Sequence, residues 1–186
     1  MSQIVTRLFD TLEQAERAVV ELERAGVPGD DISLVSHQPR EASGVGAKLG
    51  GAIGAGGVLA GLGLLAIPGL GPVIAAGWLA SAAVGAVVGG AVAAGAVGLV
   101  GALTHAGVSR EDADIFAEAV RRGGTLVSAK VEDDLLAQAD AALSQVDSVN
   151  VATRGKYYSS TGWNGFDESA DPYSEDEILR ERASVH

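Results

Sequence analysis

Leu49-Gly50-Gly51-Ala52-Ile53-Gly54-Ala55-Gly56-Gly57-Val58-Leu59-Ala60-Gly61 opens a run that reaches Ser109 without one formally charged residue, with Pro68 and Pro72 as its only prolines. Sixty-one residues of this kind, built almost wholly of Gly, Ala, Val and Leu, demand burial away from water. Nineteen of the chain's 26 glycines fall between Gly44 and Gly107. Small residues recur at four-residue spacing, as in Gly46, Gly50, Gly54, then Gly57, Gly61, then Gly77, Ser81, Gly85, Gly89. On an α-helix this spacing stacks them along one face, where a second backbone can approach closely. The run is therefore expected to form a glycine-zipper helical hairpin that packs on itself and on copies of itself.

The arms of such a hairpin are Leu49–Ile67 and Val73–Leu103, 19 and 31 residues. At roughly 1.5 Å per residue they extend about 28 and 46 Å, against a hydrocarbon core of about 30 Å. Length thus permits a membrane crossing. Five Leu, two Ile and one Val favour insertion of the first arm and seven glycines dilute it. Trp78 suits an interface, and Gly89-Gly90 offers a bend. Arg40 and Lys48 before the run, and Arg110, Arg121 and Arg122 after it, flank an uncharged Pro68–Pro72 turn. The positive-inside rule then keeps both ends in the cytoplasm. The expectation is a transmembrane hairpin in the inner membrane. The alternative is a soluble cytoplasmic oligomer whose Gly/Ala helices bury one another.

Outward from the run, the chain reads as short alternating elements. Ile4 to Phe9 has strand character. A Thr11–Gln14 capping box starts a helix to about Ala25, with Leu12, Ala15, Ala18, Val19 and Leu22 on one face, and Gly26-Val27-Pro28 ends it. Ile32 to Ser36 is a second strand. Ser109 with Asp112 is a helix start, Ala113, Phe116, Ala117 and Val120 share a face, and Gly123-Gly124 is the stop. Thr125 to Val131 is a third strand, Leu135 to Gln145 a helix, and Val149 to Thr153 a fourth strand. Phe116 and Leu136 are expected to point inward. Two β-α-β units in this order predict an α+β fold, a ferredoxin-like four-stranded sheet with helices on one face. The units are a first half at 1–43, the hairpin inserted at 44–107, a helix plus second half at 108–153, and a tail at 154–186.

The chain resembles the bacterial general stress proteins with a YflT-like domain. The likeness lies in Leu8-Phe9-Asp10 with its following helix, Gly26-Val27-Pro28 before Asp31-Ile32-Ser33-Leu34-Val35, and Ile67-Pro68-Gly69-Leu70-Gly71-Pro72. Gly107-Val108-Ser109 and Arg122-Gly123-Gly124-Thr125-Leu126-Val127 complete it. It spans roughly residues 4–153. The resemblance implies a stress-linked, non-enzymatic bacterial protein with a glycine-zipper hairpin, and it brings no catalytic residue with it.

The net charge of −11 has no basic patch set against it. Phosphate binding needs clustered Lys and Arg, so nucleic acid is not an expected partner. Without Cys there is no disulfide, thiolate metal site or thiol nucleophile. The glycines lie in apolar helical runs rather than in a phosphate loop ending in Gly-Lys-Ser/Thr. His37, His105 and His186 are too scattered for a ligand set, with His37 expected in a loop and His105 at a helix end. Asp30-Asp31, Asp112-Asp114 and Asp133-Asp134 fit helix starts. No catalytic residue, cofactor or metal is expected.

Five of the eight aromatic residues lie after residue 153: Tyr157, Tyr158, Trp163, Phe166 and Tyr173. One reading is a disordered, solubilising tail. The other is a docking segment for a protein partner, with Trp163, Phe166 and Tyr173 as anchors. A terminal helix from Ser174 to Ala183 is expected, with Ser174 and Glu177 as its capping pair.

Overall fold

The computed structural model describes residues 2–37, 62–67, 69–84 and 98–185. The fold is α+β, with five strands and seven helices among these residues. Strand β1 (Ser2–Phe9) leads to α1 (Leu12–Arg24), a 3₁₀ turn (Gly29–Asp31) and β2 (Ile32–Ser36). Next come β3 (Gly63–Ile67), β4 (Gly71–Ala76), α2 (Trp78–Val84), α3 (Gly98–His105) and α4 (Arg110–Arg121). Then follow β5 (Thr125–Glu132), α5 (Leu136–Leu143), α6 (Val151–Ser160) and α7 (Glu175–Val185).

Local signals account for the outer elements. Thr11 and Gln14 form the expected reciprocal capping box, which satisfies two amide donors at the start of α1. Ser109 Oγ accepts from the Asp112 amide at 3.1 Å and starts α4. The strands pair in the order β1-β5-β2-β4-β3, every neighbouring pair antiparallel. Facing pairs such as Leu8 and Leu126, or Val35 and Leu126, set the register.

Helices cover this sheet on two faces rather than on one. Phe9, Leu34, Val127 and Ala129 pack with α1 and with Ala139 and Leu143 of α5. Leu8, Val35, Ala75 and Leu126 belong to a second core with Leu79 of α2, Leu99 and Leu103 of α3, Phe116 and Val120 of α4, and Tyr158 of α6. All five residues of β2 are buried, as a strand between two covered faces must be. Phe116 is buried as expected, whereas Leu136 is half-buried at the rim of the first core.

The apolar run supplies much of the second layer, and here the expected helical hairpin is corrected. Strands β3 and β4 pair as a β-hairpin, with Leu65 opposite Val73 and Ile67 opposite Gly71. Pro cannot continue a helix, Gly69 and Gly71 adopt φ of 73° and 72° and reverse the chain, and Val73 and Ile74 have β-branched side chains suited to a sheet. Strand β4 then extends the sheet beyond β2, pairing Val35 with Ala75. Among the described residues no helix is long and apolar enough to cross a membrane. The expected transmembrane helices and membrane insertion are corrected accordingly.

Two expectations beyond β5 also change. Val149 makes a single bridge to Leu8, its amide donating to the Leu8 carbonyl at 2.8 Å, and the fourth strand stops there. Asn150 instead caps α6 by accepting from the Thr153 amide at 2.9 Å. Arg154 then reaches back to Asp10 at 2.7 Å, so the expected boundary at 153/154 falls inside a helix. In place of a disordered tail, residues after 153 form α6, a packed irregular stretch and α7.

Candidate functional site

The tail's seat is the C-terminal end of α4. Glu118, Arg121 and Arg122 lie one turn apart there, so all three side chains converge. Glu118 is fully buried. Its carboxylate lies 2.7 Å from the Arg121 guanidinium and 2.6 Å from Nε of Arg122. Arg122 also donates to Glu181 of α7 at 3.0 Å. Burial lowers the Arg122 pKa, but Glu118 and Glu181 together outweigh it and hold the group above its ordinary range.

Aromatic rings of the tail stack on this pair of cations. The Arg122 guanidinium lies 4.2 Å from the Tyr158 ring centroid and 5.3 Å from that of Tyr173. Arg121 lies 5.7 Å from Phe166 and 5.5 Å from Tyr173. Trp163 meets Tyr158 edge-on, with centroids 5.8 Å apart. Planar guanidiniums suit such stacking while keeping their hydrogen bonds in plane. Ile178 of α7 sits over Gly123, where a Cβ would come within 2.3 Å of it. The loop before α7 crosses the apolar run, and a Cβ at Gly69 or Gly98 would lie 2.7 Å from Glu168. His37, at the end of β2, is buried beside Tyr173 and Leu70; burial lowers its pKa, while hydrogen bonds to the main chain of both oppose the shift.

Tyr158 is the most enclosed of the tail's rings. Burial pushes its phenol up to about 12, against the pull of Arg154 and Arg122. The neutral form is therefore favoured by the folded state, and its contribution is fully present below pH 10. That contribution is lost as the pH rises from about 10 through 12. The expected result is a wild-type denaturant midpoint that falls over this window more steeply than that of Tyr158→Phe; parallel curves would refute the assignment.

Of the residues singled out from sequence, Trp163, Phe166 and Tyr173 come together, half-buried against the chain's own core and arginines. Gly77 occupies the turn between β4 and α2, and Ser81 is exposed on α2. Gly46, Gly50, Gly54, Gly57, Gly61, Gly85 and Gly89 lie outside the described residues. The Glu118–Arg121–Arg122 network escapes a reading of the sequence, in which Arg121 and Arg122 are flanking charges. A Glu followed at three and four positions by a double Arg is the signal that could have found it. No family model, curated protein or solved structure matches the chain.

Proposed function

We propose that this chain is a non-enzymatic regulatory or scaffolding module of the bacterial cytoplasm, oligomeric in its working form, which recruits a protein partner through its C-terminal tail. The stress-protein likeness and a ferredoxin-like core of β1, β5 and β2 with Val149 beside β1 belong to the same proposal. One observation carries it. The tail rests on a polar arginine platform by half-buried rings, while α7 holds Leu179 62% exposed. In this reading Leu179, beside the ordered rings of the tail, is the side chain that meets the partner. Its counterpart is Leu64, 65% exposed on β3, which is an edge strand among the described residues and the proposed contact with a second copy.

A photocrosslinking residue at Leu179 is expected to capture the partner in cells, whereas the same residue at exposed Arg17 on α1 does not. Leu64→Lys is expected to lower the sedimenting mass of the purified chain without changing its melting temperature. A monomer at all concentrations, together with equal crosslinking at both positions, would overturn the reading.

A further inference from the structure

The helical layer built from the apolar run leaves a cleft of about 650 Å³ against one end of β1 and β5. Its walls include Ile4, Trp78, Ala82, Ala102 and His105, and Lys130 is its amine. The volume lies within the range of small-molecule sites, about 300–1,000 Å³. Lys130 stands opposite Ile4 in the sheet and on the same face as Leu126, which turns it toward α2 and α3. Its ammonium is 4.4 Å from the Trp78 ring centroid. The indole is itself fixed, because Nε1 donates to the Asp31 carbonyl at 3.1 Å.

The charge pattern gives this cleft its chemistry. In a chain with 24 acidic residues, no Asp or Glu is among the described residues lining it. Glu132 lies two positions along the same strand face, yet it is exposed, and no ion pair joins it to Lys130 among the described residues. A half-buried ammonium that rests on an aromatic face still attracts an anion, and alanine, isoleucine and tryptophan walls suit an apolar body. One ammonium, with no arginine among the described residues lining the cleft, fits a single negative charge better than a phosphate ester.

We propose that this cleft binds a small amphipathic monocarboxylate, its head group on Lys130 and its hydrocarbon body between Trp78 and the alanines of α2 and α3. The site is independent of the tail and of any partner that the tail recruits.

Calorimetric titration of the full chain with decanoate below its micellar concentration, 2-naphthoate and neutral decanol tests this. At least one carboxylate is expected to bind about tenfold or more tightly than decanol; decanoate as the better ligand indicates an aliphatic body, 2-naphthoate an aromatic one. Lys130→Met is expected to weaken the carboxylate about tenfold or more and to erase its advantage over decanol, while Lys130→Arg retains it. Ala82→Phe fills the mouth from an exposed position and is expected to abolish binding with the melting temperature unchanged. The proposal is overturned if neither carboxylate binds, if decanol binds as well as both, or if folded Lys130→Met binds like the wild type.

Discussion

Replacing Glu118 with Ala is expected to destabilise the chain by about 3–5 kcal/mol, the cost of leaving buried charge without its partner. The Glu118 side chain has no solvent exposure, and those of Arg121 and Arg122 are 10% and 8% exposed. Removal of the carboxylate leaves two guanidiniums side by side, with Glu181 still paired to Arg122 at 3.0 Å. A surface ion pair of the same geometry would contribute at most about 1 kcal/mol, so burial decides the size of the effect. The loss should also be directional. Arg121 and Arg122 would no longer be aligned under Phe166, Tyr158 and Tyr173, and α7 would lose its seat. Urea unfolding measures the first effect and limited proteolysis the second, with cleavage between Tyr173 and α7 preceding loss of the core. A change below about 1 kcal/mol would show that the network is solvated and the platform is not structural.

Gly77→Ala is expected to cost about 2–5 kcal/mol, combining left-handed backbone strain with overpacking against main chain. Gly77 adopts φ of +84°, and a Cβ there would lie 2.1 Å from the Ile32 carbonyl oxygen and 2.6 Å from Ser33 Oγ. Neither neighbour can yield easily. Ile32 is paired with Ala129 in the sheet, and Ser33 Oγ accepts from the Leu79 amide at 2.9 Å to start α2. The turn thus clamps the second helical layer onto β2. Ser81→Ala, at an exposed position one turn into α2, is the control and should stay within about 0.5 kcal/mol. Equal denaturant midpoints for the two variants would refute the clamp. The result also separates two roles for Gly77, since four-residue spacing alone places it on a helix-packing face.

Elements bounded by local chemistry are legible in the amino-acid sequence alone. The capping pairs Thr11–Gln14, Ser109–Asp112 and Ser174–Glu177 all form, because each closes within one turn and needs nothing from the rest of the chain. Strands β1, β2 and β5 are recognisable from their β-branched and apolar residues. The segment from Gly63 to Ala76 is not. Where both faces of a strand are covered, polar alternation disappears, and a run such as Val73-Ile74-Ala75-Ala76 carries no period that distinguishes strand from helix. Val149 to Thr153 misleads for another reason. Its β-branched residues favour a strand, but the Asn150 cap and the Arg154–Asp10 pair across 144 residues outweigh that preference.

The candidate site is legible in its parts and not in its assembly. Aromatic residues after 153 are conspicuous, and Ser174 with Glu177 marks a terminal helix. That Tyr173 stacks on Arg121 and Arg122, more than 50 positions earlier, depends on how α4 ends over the sheet. Composition requires that the uncharged run be hidden from water, and that requirement is a property of the residues alone. What hides the described part of it is the sheet's second face and the returning tail. Apolar burial is non-directional and roughly proportional to area, so lipid, another copy or the chain's own strands could each have met it. For the described part, long-range pairing supplies that burial, with β4 beside β2 and α2 clamped at Gly77.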